Sequence, residues 1–130
     1  MTKENVPKPT ESELSILRVL WQQGPSTVRA VLESLVARGS SSGYTTVLKL
    51  LQIMTEKGLV LRDESQRAHV YRASSSELET QQQIVGDLLD RAFGGSAGRL
   101  ALQALSTRKA SREELEEIRH LIDELEGEDA

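Results

Sequence analysis

The sequence predicts a mainly α-helical fold that carries one small β-hairpin. Apolar residues recur at helical spacing through most of the chain. Ser or Thr followed three residues later by Glu marks three helix starts, at Thr10, Ser76 and Ser111. After Gly58 the period changes from 3.6 to 2, in the stretch "LVLRDESQRAHVYRA".

Each element follows from its residues. Residues 1–9 (MTKENVPKP) are polar, hold two prolines, and are expected to form a flexible arm. Thr10 and Glu13 make a capping box for a first helix with Leu14, Leu17 and Trp21 on one face and Ile16 and Leu20 beside them. Gly24-Pro25 ends it. Ser26 is the expected N-cap of a second helix burying Val28, Val31, Leu32 and Leu35, closed by Arg38-Gly39. A third runs from Tyr44 to Lys57, buries Val47, Leu50, Leu51 and Met54, and stops at Gly58. Two strands around the Asp63–Gln66 turn then alternate, with Leu59, Leu61, Ala68 and Val70 as the apolar set.

Three helices followed by a hairpin is the order of a winged helix-turn-helix, expected over residues 10–74. The rest, residues 75–130, reads as helical. Ile84, Leu88 and Phe93 lie on one helix, and Gly94-Gly95 breaks it. Leu100, Leu102 and Leu105 populate a short helix, and Leu115, Ile118, Ile122 and Leu125 follow on a last one. That final seam is shorter than two heptads, too short to hold by itself and suited to packing on a partner.

Composition narrows the function classes. The 130 residues include no cysteine, so disulfides, thiolate metal sites and thiol nucleophiles are excluded. His69 and His120, far apart in sequence, are too little for a zinc site unless carboxylates join them. No apolar run approaches the ~18 residues of a membrane span and no export signal is evident, so a cytoplasmic location is expected. Catalysis has no support: Glu113-Glu114 and Glu116-Glu117 read as solvated helix charge, and "GGSAG" lacks the strand and lysine of a phosphate loop. No enzyme activity, cofactor or metal is expected.

The net charge of −4 conceals an asymmetry. Residues 1–73 hold ten Lys/Arg against seven Asp/Glu, whereas residues 74–130 hold six against thirteen. An acidic protein still binds nucleic acid when its basic groups share a face.

The third helix opens with Tyr44, Thr45 and Thr46, and Lys49 lies one turn on. In a helix-turn-helix this turn enters the DNA major groove. There a threonine exchanges hydrogen bonds with base edges and offers a methyl to thymine. On this stretch alone, hydroxyls that merely cap a helix account for the pattern equally well. The adjoining hairpin adds Arg62, Arg67 and Arg72 with Gln66 and His69, a wing suited to phosphates or the minor groove. Ser26, Thr27 and Arg29, at the start of the second helix, are candidates for further phosphate contacts. Arg18 reads equally well as a solvated surface charge. The alternative is a winged-helix protein-interaction module without DNA binding.

The segments "TESELSILRVLW", "STVRAVLESL", "YTTVLKLLQIMTEKGLV" and "RAHVYRA" resemble the penicillinase repressor (BlaI/MecI/CopY) family, over roughly residues 10–125. The resemblance implies a homodimeric, sequence-specific repressor that binds a dyad DNA operator. Carried onto these positions, it implies that Thr45, Thr46 and Lys49 read bases and that Arg67 contacts backbone, while Tyr71 is structural. Ile84, Leu88, Leu102, Leu115, Ile118 and Ile122 would form the dimer contact. Copper-responsive members end in a cysteine cluster that this chain lacks. β-Lactam-responsive members are cleaved in the dimerisation segment by a membrane metalloprotease sensor, commonly at an Asn-Phe bond; the nearest equivalent here is Gln103-Ala104. Several relatives carry an arginine where this chain has Ile53.

Overall fold

The computed structural model describes residues 7–128. The expected arm falls mostly on residues 1–6, outside the described residues; residues 7–10 carry neither helix nor strand. The element order is α1 (Glu11–Gln23), β1 (Ser26–Thr27), α2 (Val28–Ala37), α3 (Tyr44–Lys57), β2 (Val60–Asp63), β3 (Val70–Ala73), α4 (Glu77–Ala92), α5 (Ala97–Thr107) and α6 (Arg112–Glu128). The chain divides into two compact units, residues up to Val85 and residues from Gly86 onward.

All three capping boxes form. Thr10, Ser76 and Ser111 each accept from the backbone N–H of the Glu three residues on, and that Glu accepts from the cap's own N–H. Gly58 ends α3 in the left-handed region at φ 83, where a side chain would be strained.

The first unit has one core. α1 gives Ile16, Leu17, Val19 and Leu20, α2 gives Val28, Val31 and Leu35, and α3 gives Val47, Leu51 and Met54. Leu59, Val60 and Tyr71 close it from the sheet side. On α1 the buried stripe is centred further round than the leucine spacing suggested, for Leu14 and Trp21 are only half-buried. The indole N–H of Trp21 donates to the Ser75 carbonyl at 2.9 Å. That bond pins the chain where β3 hands over to α4.

The hairpin differs from expectation in two respects. It belongs to a three-stranded antiparallel sheet of order β1-β3-β2, in which Ser26 pairs with Tyr71 and Thr27 with Val70. Two residues are too short a strand to show a period, so propensity alone could not reveal β1. Its inward set is also different: Val60 and Tyr71 are buried, while Leu61 is 45 % exposed. The β2–β3 register explains this. Val60 lies opposite Ala73 and Arg62 opposite Tyr71, so these four share the core-facing side, and Leu61 faces outward with Arg72. Leu59 is buried from the turn before the strand, not as part of its alternation.

The second unit is built differently. Gly94 and Gly95 both take positive φ and end α4, with the Gly95 N–H donating to the Leu89 carbonyl. Neither α5 nor α6 contains a buried residue.

Candidate nucleic-acid interface

The tip of α3 is left uncovered. Its N-cap is Gly43, which has no side chain to accept from the first-turn amides, and no side-chain cap forms. Tyr44, Thr45 and Thr46 are all exposed. The hydroxyls at this helix start therefore do not serve as its N-cap, which removes the capping explanation of the pattern.

Helical geometry divides the α3 residues among four directions. Val47, Leu51 and Met54 point into the core. Tyr44 and Leu48 face the wing, whereas Thr46 and Leu50 face the turn between α2 and α3. Thr45, Lys49, Gln52 and Glu56, spaced by four, three and four residues, form the exposed line pointing away from the protein. Gln52 was not singled out from the sequence, although its place seven residues beyond Thr45 signals the same face. Glu56 sets a limit, since a carboxylate on that line repels phosphate and restricts the usable length to the residues before it.

Between the wing and α3 lies a groove of about 440 Å³, lined by Thr27, Val28, Arg29, Tyr44, Leu48, Arg67, Ala68, His69 and Tyr71. The sequence-predicted Thr27, Arg29, Tyr44, Arg67 and His69 are thus brought together, and no carboxylate is among the lining residues. The arrangement depends on β1, because pairing Thr27 with Val70 ties the start of α2 to the wing. Arg29 lies over the Tyr44 ring, its guanidinium carbon 5.4 Å from the centroid.

Other candidates are placed less openly. Thr27, not Ser26, is the N-cap of α2, its hydroxyl accepting from the Ala30 N–H at 3.2 Å. Ser26 is buried and donates its hydroxyl to the Gly24 carbonyl at 2.9 Å. Arg62 forms a 2.7 Å ion pair with Glu64 at the wing tip and does not line the groove. Beside it, the Ser65 N–H donates to Asp63 and holds that carboxyl below its usual range. The wing's outward-facing cationic character therefore rests on Arg67 and Arg72 more than on Arg62. Among the described residues no cluster of His, Asp or Glu could hold a metal ion.

A buried ion pair supports α3 from behind. Glu13 is 2 % exposed, and Lys57 reaches both of its carboxylate oxygens, at 3.1 and 2.8 Å. Burial alone would raise the Glu13 pKa, but the Lys57 hydrogen bond, the Thr10 N–H and the Lys57 charge together outweigh it and lower the pKa. The sequence marked Glu13 as a capping residue; its distant lysine partner left no sequence signal.

An uncapped helix tip flanked by a β-wing defines a winged-helix domain. The chain belongs to the penicillinase repressor family, whose sequence model matches residues 9–124. It is 33 % identical over 116 residues to the transcriptional regulator BlaI of Mycobacterium tuberculosis, covering 88 % of this chain and 83 % of that protein. To the penicillinase repressor of Bacillus licheniformis it is 22 % identical over 121 residues, covering 93 % and 94 %. A solution structure of monomeric Bacillus licheniformis BlaI with the blaP half-operator matches 55 % of this chain and 87 % of its own, at 22 % identity and TM-score 0.48.

Proposed function

We propose that this chain is a homodimeric, sequence-specific repressor that binds a dyad DNA operator through α3 and the wing. One observation carries the reading: the α3 tip is exposed and uncapped beside a groove that holds Arg29, Arg67 and His69 with no carboxylate. Thr45, Thr46 and Lys49 would meet base edges, each good contact contributing ~1–3 kcal/mol of discrimination. Thr27, Arg29, Arg67 and His69 would hold phosphates and fix the register without reading sequence, whereas Arg62 is engaged by Glu64.

Dimerisation is supported by the second unit, whose apolar side chains find little cover within the protomer. Leu102 is 69 % exposed, and Leu121, Ile122 and Leu125 are each about half exposed. Leu115 and Ile118 are half-buried and Leu88 is exposed, and Ile84, at the end of the first unit, is half-buried. A second copy of the chain would bury this set and place two α3 tips ~34 Å apart, one turn of B-DNA. Gln103 and Ala104 lie exposed inside α5, so a metalloprotease sensor acting there would first have to unwind that helix.

The test is selection of genomic fragments by the purified chain, followed by affinity measurements on selected and random duplexes at two salt concentrations. The proposal expects sequence preference together with a steep loss of affinity as salt rises. Thr45→Ala and Thr46→Ala should weaken the selected duplex and leave the random one unchanged. Binding indifferent to both salt and sequence would overturn the reading.

A further inference from the structure

The α3 tip has a second flank. On the side away from the wing lies a groove of about 420 Å³ between α1, the turn joining α2 to α3, and α3 itself. Its polar lining comprises Ser12, Ser15, Arg18, Arg38, Ser40, Ser42 and Thr46 over a floor of Ile16, Leu35 and Leu50. Again no carboxylate is among the lining residues.

The polar groups are held in place by different means. Gly39 takes φ 96 and its neighbour Ser40 donates its N–H back to the Leu35 carbonyl, which folds the turn tightly against the end of α2. The Ser40 hydroxyl accepts from the Ser42 N–H at 3.1 Å. Arg38 is oriented by donating to the Gln22 side chain. Arg18 is exposed and forms no ion pair among the described residues.

A helix tip in a major groove stands between two sugar-phosphate strands, the groove being ~12 Å wide. The wing-side groove can serve only one of them. We propose that the turn-side groove binds the phosphate backbone of the other strand, with Arg18 as the principal cation and Ser40 and Ser42 as hydroxyl partners. Thr46, which lines this groove, then stands where base and backbone contacts meet. The proposal rests on the DNA-binding reading above and adds to it a backbone anchor on α1 and the α2–α3 turn.

The experiment measures affinity against salt for the intact chain and for Arg18→Gln and Arg67→Gln, on both a selected and a random duplex. Each lost phosphate contact lowers the slope of log affinity against log salt by ~0.9. Arg18→Gln should lower the slope by about that amount on both duplexes. A slope unchanged by Arg18→Gln but lowered by Arg67→Gln would overturn this inference and leave the DNA reading intact. Absence of salt-dependent binding by the unsubstituted chain would instead sink the DNA reading itself, and this inference with it. Both arginines are exposed, and circular dichroism verifies that the variants fold.

Discussion

Arg29 at the start of α2 stacks on the ring of Tyr44 at the start of α3, joining the two helix ends that bracket the wing-side groove. A guanidinium over an exposed ring contributes ~0.5–1 kcal/mol and orients a side chain that is otherwise long and mobile. A double-mutant cycle of Arg29→Gln and Tyr44→Leu should therefore show coupling of ~0.5–1 kcal/mol in urea unfolding. Tyr44→Phe keeps the ring and should keep the coupling. Additive effects of the two substitutions would show that the stack contributes nothing.

The Glu13–Lys57 pair makes an acid-sensitive contribution. The folded-state pKa of Glu13 lies below its ordinary value of 4.5, so folding favours the ionised form. The resulting stability is complete well above that value and is lost as pH falls below it, through the depressed folded-state pKa. Glu13→Gln preserves the capping geometry and should cost ~1–2 kcal/mol near neutrality, since the freed Lys57 is partly solvated. Lys57→Met should cost more, ~2–3 kcal/mol, because it strands a buried carboxylate. Unfolding free energies between pH 3 and 7 check the sign: the gap between the unsubstituted chain and Glu13→Gln should narrow toward acid.

Trp21→Phe removes the indole donor to Ser75 while keeping most of the apolar contact. The expected loss is ~1 kcal/mol, the usual net worth of one hydrogen bond. Hydrogen exchange locates the effect. Amides around residues 75–80 should exchange faster, with those of α3 changed only by the global loss of stability. Uniform acceleration would mean that Trp21 acts through the core and not through this bond.

Ile118→Asp places a charge on the α6 seam. If a second chain covers that seam, the variant should sediment as a monomer, because an unpaired buried charge costs several kcal/mol. An unchanged dimer mass would move the interface elsewhere.

Much of the fold was legible because its signals are local. The capping boxes need a hydroxyl and a carboxylate three residues apart, and α3 begins and ends where its glycines dictate. The candidate site was legible for the same reason at Thr45 and Lys49, whose exposure follows from the burial of Val47 and Leu51. What escaped depends on contacts between distant segments. β1 exists only because β3 pairs with it, so the sequence offered Ser26 as a cap when it is a buried strand residue. Leu61 belongs to the alternating apolar set yet faces outward, because alternation fixes two faces but not which of them meets the core. Arg18 and Ser42 come together only when α1 and the turn pack side by side.

The bond from Trp21 to Ser75 has a practical consequence. The chain contains a single tryptophan, so its tryptophan emission, excited selectively beyond the tyrosine band, comes from one known place, the hand-over from β3 to α4. A red shift in emission would report water reaching that seam, and it could be followed in real time without any added dye.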